Sequence, residues 1–335
     1  LVHLSILDQS PVVEGKTEAE ALMETSQLAQ EADKLGYTRF WVSEHHAMKA
    51  MAGSSPEVLV SHLASVTSRI RVGSGGIMIP HYSSFKVAEN FQVLEALYPD
   101  RIDLGIGRAS GGLSLASKAL QEGKTEIIPY HQQIIDLMHY LYGSFSKNHR
   151  FSRLQVTPSV LSAPPIWLLG SSMESAHLAA RLGIPYAYAH FLSYHADPTI
   201  MKRYTQLYQT SVICDQPKTL IALFVICGET EKEAEEMTST LDLTFLLSEQ
   251  NPYISRVPSK KTVKSYPYSD QDFLRMKNNR SRIIVGNPKS VRDQILEIGE
   301  TFGTDEFMIL TITHDFKSKL KSYQLLSEAF HLVSN

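Results

Sequence analysis

The sequence predicts an α/β protein, a (β/α)8 or TIM barrel with an insertion between its seventh and eighth strands. Three observations predict it. Segments of strand composition and segments of helical periodicity alternate eight times along the chain, and such alternation means parallel strands. Eight parallel strands close into a barrel more readily than they stay open, and 335 residues accommodate a barrel of ~250 residues with insertions. A hydrophobic content of 43% places the chain among globular proteins able to bury a large core. We therefore expect one domain over 1–335.

The elements follow in order. Leu4–Ser10 reads as a buried strand. Thr17 opens a helix with Glu20 three residues on, a capping box, and Leu22, Leu28, Ala29, Ala32 and Leu35 form its apolar stripe up to Gly36. Arg39–Glu44 is the second strand, and Ser55-Pro56 starts the second helix, where proline's missing N–H costs nothing. Strand Ile70–Pro80 precedes helix Phe85–Tyr98, and strand Arg101–Arg108 precedes a Gly/Ser loop and helix Glu126–Tyr142. Strand Ile166–Gly170 leads to helix Met173–Leu182, Tyr186–His190 to Pro198–Tyr208, and Leu220–Cys227 to Glu231–Leu247. Asn287-Pro288 opens an extra helix, and strand Glu306–Thr313 precedes the last, Lys317–Phe330.

Two segments break the rhythm: Ala109–Pro165, with a polar stretch over Ser146–Ser162, and Ser248–Arg282. The second is polar and loop-like, contains Pro252, Pro258 and Pro267, and has a local charge excess of +5. A charge run is commonly a solvated face. An insertion after the seventh strand leaves from the barrel end where active sites sit, so a lid is the sharper expectation.

Composition excludes several function classes. With 32 Lys+Arg against 35 Asp+Glu, bulk positive charge cannot drive nucleic-acid binding. Two cysteines, Cys214 and Cys227, make neither a disulfide framework nor a four-thiolate zinc site. They suit a reducing compartment, and with no apolar run of membrane length and no signal-peptide pattern the expected location is the cytoplasm. Adjacent His45 and His46 point to opposite sides of an extended chain, and no carboxylate cluster joins them, so no metal site is expected.

In a barrel of this kind, the strand C-termini form the candidate site. Ser171, Ser172 and Ser175 lie where the fifth strand turns into a helix, whose exposed N–H groups attract an anion. Plain capping by Ser172 would explain that residue alone. Arg108, followed by Ala109 and Ser110 at the neighbouring strand end, adds the fixed charge of a phosphate site. Gly105, Gly107 and Gly111 form a weak G-x-G-x-x-x-G signal, one residue too long for a dinucleotide turn. Ser74, Gly75 and Gly76 end the third strand without a Cβ at two successive positions, which suits either a bulge or a flat backbone surface for a planar ring. His45 is the best acid–base candidate, and Glu44 either orients it or pairs elsewhere. His190 ends the sixth strand and could line the pocket. His46, His81, His314, Cys227, Trp41 and Trp167 are read as structural.

These residues lie in longer blocks: FWVSEHH (Phe40–His46), RIRVGSGGIMIPHYSSFKVAENFQVLEAL (Arg69–Leu97), DRIDLGIGRASGG (Asp100–Gly112), PPIWLLGSSMESAHLAARLGIPYAYAHF (Pro164–Phe191) and IIVGNPKSVRDQI (Ile283–Ile295). In this order they resemble the bacterial luciferase-like family of flavin-dependent monooxygenases, along nearly the whole chain. The resemblance implies FMN at the strand C-termini, with Arg108, Ser172 and Ser175 on its phosphate and a non-prolyl cis peptide at Gly75-Gly76 beneath its ring. It implies His45 as the catalytic histidine, with Glu44 and His190 in the pocket. It also implies oxygenation of a small organic substrate by reduced FMN and O2, an NAD(P)H-dependent flavin reductase as partner, and a homodimer. The family's luciferases carry a reactive cysteine just before the matched arginine, whereas Gly107 stands here, so the resemblance is to the non-luminescent single-chain branch. Hydride transfer with FMN or F420, and flavin binding without catalysis, stay open as alternatives.

Overall fold

The computed structural model describes residues 2–143, 149–251 and 255–332. Its elements run β1 (His3–Asp8), α1 (Glu18–Lys34), β2 (Arg39–Val42), α2 (Pro56–Val66), β3 (Arg71–Met78), α3 (Ser84–Leu97), β4 (Ile102–Gly107), α4 (Ser114–Leu120), α5 (Tyr130–Tyr142), β5 (Ile166–Gly170), α6 (Met173–Leu182), β6 (Tyr186–Ala189), α7 (Thr199–Leu207), β7 (Thr219–Cys227), α8 (Glu231–Gln250), α9 (Lys260–Ser265), α10 (Asp270–Asn279), β8 (Ile283–Gly286), α11 (Pro288–Phe302), β9 (Glu306–Leu310) and α12 (Phe316–Ala329). Strands β1 to β6 pair in chain order, β6 pairs β7, β7 pairs β9 and β9 pairs β1, all parallel. That closes an eight-stranded barrel.

Local chemistry explains the helix starts. Thr17 accepts from the Glu20 N–H while the Glu20 carboxylate accepts from Thr17, the expected capping box. Ser172 and Ser175 do the same at α6. The strands alternate between two cores. Leu4, Ile6, Phe40 and Val72 face the helices, whereas Leu7, Trp41, Trp167, Ala222 and Met308 fill the barrel interior. Trp41 and Trp167 meet edge to face with centroids 5.7 Å apart. At the N-terminal end of the barrel, buried Asp103 accepts from Arg39 Nη1 at 2.8 Å, Arg71 Nε at 2.9 Å and Trp41 Nε1 at 3.0 Å. These guanidiniums hold its carboxyl below the usual range against the opposing effect of burial. This network ties three strands together at the end opposite the site.

The structure corrects three expectations. Ile283–Gly286 is a ninth strand, which pairs with Phe224–Cys227 of β7 beyond the point where β6 leaves that edge. In sequence, Ile283–Gly286 before Asn287-Pro288 reads equally well as a lead-in to the helix. The 248–282 insertion is not loop-like, since it carries α9 and α10, each capped by a serine. Pro252 lies outside the described residues. The insertion is pinned to the loop after β1: Val257 exchanges backbone bonds with Val12 and Glu14, and Ser259 N–H donates to Glu14 at 2.9 Å. Finally, the loop after β4 contains α4, and the following helix starts at Tyr130 rather than Glu126. Residues 146–148 of the polar stretch lie outside the described residues.

Candidate active site

A cavity of about 980 Å³ opens at the C-terminal ends of β1 to β6. This is at the upper end of the ~300–1,000 Å³ common for small-molecule sites. Leu7 and Gln9, Ser43 to His45, Gly75 and Met78, Gly107 to Ala109, Leu169 to Ser172, and Ala189 with Phe191 supply successive parts of its wall. The start of α5 (Tyr130, His131) and one face of α6 complete it.

His45 lies on this wall, and its Nδ1 is 3.0 Å from Ser43 Oγ. Burial, and then the neighbouring His46, push its imidazole down to about 4. The ring is therefore neutral at pH 7. A histidine-edited NMR titration should give His45 a midpoint near 4, while a midpoint near the ordinary 6.5 would show the ring to be solvated.

Glu44 does not orient His45. Its Oε1 is 2.7 Å from His46 Nε2 and accepts from Tyr82 Oη at 2.8 Å, while Oε2 accepts from the Met78 N–H at 2.9 Å. The buried carboxylate thus ties the end of β2 to the end of β3. His46 N–H in turn donates to Gly111 O at 2.7 Å, holding the loop after β4 against the loop after β2.

The end of β3 is bare backbone. The Gly75-Gly76 peptide is cis, and the β3–β4 register shifts between Ser74 and Ile77. A Cβ on Gly75 would stand 2.7 Å from Leu7 Cδ1, and one on Gly76 would stand 2.8 Å from Gly105 O. At Gly76 the neighbour is backbone, so close packing calls for glycine there, whereas at Gly75 it is the end of a leucine side chain. Only Gly75 of the pair reaches the cavity wall. Ser74 is fully buried and donates to Gly105 O at 2.8 Å, so it belongs to the barrel wall.

Arg108, Ala109, Ser171, Ser172 and Ser175 all line the cavity, and the contact of Arg108 with Glu174 brings the end of β4 to the start of α6. Ser172 Oγ accepts from Ser175 N–H at 3.2 Å, and Ser175 Oγ is 2.9 Å from Tyr186 Oη. Capping is thus real, but the first turn of a helix leaves further N–H groups without intrahelical acceptors. Arg108 Nη1 is 3.1 Å from Glu174 Oε1, which places the guanidinium beside the start of α6. Two buried polar atoms on this wall, Tyr130 Oη and His177 Nε2, have no hydrogen-bond partner among the described residues. Orphaned polar atoms beside an arginine and a helix start match the donor set that a phosphate requires.

Besides Ser74 and Gly76, two further expected site residues lie off the cavity wall. Ser110 Oγ donates to Gly112 O at 3.0 Å, its carbonyl faces His81 Nε2 at 2.8 Å, and it does not line the cavity. His190 is turned outward: its ring packs on Phe302 at 5.7 Å, beside Tyr188, which stacks on the same phenyl ring. The strand ends at Ala189, and the 3-10 turn His190–Leu192 that follows presents Phe191 and Leu192 to the cavity and His190 to the other side. Among the residues that sequence reasoning missed, Glu174, His177, Leu178 and Arg181 line the wall with i, i+3, i+4, i+7 spacing. That spacing is a legible signal for one helix face. Tyr130 and Phe191 had no such signal.

Among the described residues, no group of three or more His, Cys, Asp or Glu could hold a metal, and no helix is long and apolar enough to cross a membrane. Cys227 is buried, its thiol pushed up to about 12 chiefly by burial, in keeping with a core role.

Comparison with known proteins agrees with this architecture. The chain is 50% identical over 331 residues to YwcH of Bacillus subtilis, covering 98% of this chain and 99% of that one. It is 36% identical over 331 residues to the N-acetyl-S-alkylcysteine monooxygenase of the same organism, covering 98% of each. Among solved structures, apo-MsnO8 superposes with a TM-score of 0.90 at 38% identity, over 99% of this chain and 98% of that one. At lower identity the fold alone is shared with the oxygenating constituent of 3,6-diketocamphane monooxygenase in complex with FMN (TM-score 0.70, 16%, 98% and 97% covered). The same holds for an F420-dependent secondary alcohol dehydrogenase (TM-score 0.68, 12%, 98% of each covered). The luciferase-like monooxygenase family matches residues 2–306, and the chain belongs to that family.

Proposed function

We propose that the chain is an FMN-dependent monooxygenase that uses reduced FMN and O2 to oxygenate a small organic substrate. One observation carries the reading: a single cavity joins His45, the bare backbone of Gly75 and the Arg108–Ser172 corner. An isoalloxazine needs a flat wall, its phosphate needs fixed donors, and oxygen transfer needs a group that handles a proton. When bound, reduced FMN supplies the electrons with which O2 is activated.

The protein's own residues do the rest. Arg108 and the first turn of α6 would hold the phosphate, with Tyr130 Oη and His177 Nε2, unpartnered among the described residues, as further donors. Gly75 would leave β3 bare for the ring. Leu7, Leu169 and Phe191 line the wall with apolar groups that exclude water. His45, neutral and held by Ser43, accepts or returns a proton at Nε2. The Arg108 rim is solvent-exposed, which supports FMN arriving already reduced from a separate NAD(P)H-dependent flavin reductase.

Oxygen uptake under supplied reduced FMN tests the reading, with candidate thioethers and ketones as substrates. Substrate-dependent product carrying one atom from labelled O2 is expected. Substrate reduction or oxidation without that label would assign hydride transfer instead. Arg108→Ala is expected to weaken FMN binding about 10- to 100-fold, the scale of a charge-assisted contact, while riboflavin, which lacks the phosphate, should bind as before. Equal losses for both would move the phosphate away from Arg108.

A further inference from the structure

The carboxylate of Glu174 stands where an anion would bind. It lies in the first turn of α6, two residues after the cap Ser172, and accepts from Arg108 Nη1 at 3.1 Å. It therefore occupies both attractions that the corner offers, the guanidinium charge and the positive end of the helix. Both side chains are largely exposed, Arg108 at 60% and Glu174 at 73%. An exposed pair of this kind is weak and readily exchanged. In a capping box the third helical position usually supplies the acid; here that position is Ser175, and the acid stands one residue earlier, where it also lines the cavity.

We propose that Glu174 is an internal competitor for the flavin phosphate, setting its affinity low enough for the flavin to exchange between turnovers. The inference rests on the assignment of the Arg108–Ser172 corner to a phosphate. Ligand entry must separate Arg108 from Glu174 and place a dianion beside a carboxylate. The displaced Glu174 side chain is free to swing into solvent. Release of the oxidised flavin is assisted when Glu174 returns to Arg108. Glu174 makes no bond to reacting atoms in this scheme. It acts through Arg108 and is a positioning residue.

The test is a binding titration of wild type, Glu174→Gln, Arg108→Gln and the double variant with FMN, riboflavin and inorganic phosphate. Glu174→Gln is expected to tighten FMN about five- to tenfold, the combined scale of a lost exposed ion pair and a lost like-charge contact. Inorganic phosphate should tighten in parallel and riboflavin should stay within twofold. In the Arg108→Gln background the gain should shrink below twofold, because the competed cation is gone. Unchanged or weaker FMN binding in Glu174→Gln, with Arg108→Gln still weakening FMN, would overturn the competitor role and leave the phosphate site standing. Wild type binding FMN no better than riboflavin, with Arg108→Gln silent, would overturn both.

Discussion

Replacing His45 by alanine is expected to lower oxygenated product about 10²- to 10⁴-fold, the range attributed to a positioned acid–base group, while FMN affinity stays within about twofold. The separation follows from geometry. His45 lies at the end of β2, and its imidazole is fixed to Ser43, whereas the phosphate corner is built by Arg108 and the start of α6. Its backbone N–H donates to Gly53 O at 2.8 Å, a bond that alanine keeps, so the loop after β2 should hold its shape. The measurement is single-turnover product formation from pre-reduced FMN, alongside a flavin titration of the same variant. Product formation near wild-type rate would remove His45 from the chemistry. Loss of flavin binding in step with loss of product would make it a structural residue of the pocket.

The neutral state of His45 adds a pH signature. With its imidazole pushed down to about 4, the ring gains a proton only well below neutrality. If the reaction uses the neutral ring, the rate is flat from pH 8 to pH 6 and falls through pH 5 to 4. An imidazolium requirement would give the opposite slope, a rate that climbs as the medium is acidified through that same interval.

The barrel was legible because parallel strands demand crossover helices, and the alternation of the two is written in periodicity. The corner at α6 was legible for a related reason: Ser172 and Ser175 mark a helix start, and the start of a helix at a strand C-terminus is where donors collect. What failed to show was anything set by side-chain direction at the irregular ends. Position alone puts His190 at the cavity, but the 3-10 turn that follows β6 directs its ring toward Phe302. Ser74 and Ser110 were placed by adjacency to glycine and arginine, yet each hydroxyl bonds a neighbouring carbonyl. The ion pair between Arg108 and Glu174, 66 residues apart in sequence, has no local signature. The same is true of the Glu44 network, which joins residues from two strand ends through one buried carboxylate.

The largest stability loss should come from Asp8→Ala, about 3–5 kcal/mol in chemical denaturation, the cost of breaking a buried pair by removing one member. Asp8 ends β1 and pairs with Lys319 of α12, and both are almost wholly buried, at 2% and 6% exposure. Thr25 Oγ1 donates to its second oxygen at 2.6 Å from α1, and the Ser10 N–H points at the same atom at 3.3 Å. Removing the carboxylate leaves a buried ammonium and a backbone N–H without their acceptor, and turns the Thr25 hydroxyl to its remaining neighbours Ser10 Oγ and Ala21 O. Removing both charges in Asp8→Leu/Lys319→Met should recover most of the loss, because the desolvation of two ions disappears with them. A double variant as unstable as Asp8→Ala would mean that packing around Thr25, rather than charge, fixes this junction. The pair also bears on the site. Gln9 lies between Asp8 and Ser10 and lines the cavity, and Ser10 O accepts from Ala52 N–H at 2.9 Å in the loop that follows β2. A loosened β1 end therefore reaches the segment carrying His45. Asp8→Asn, which keeps the shape but not the charge, should lose activity before it loses its fold.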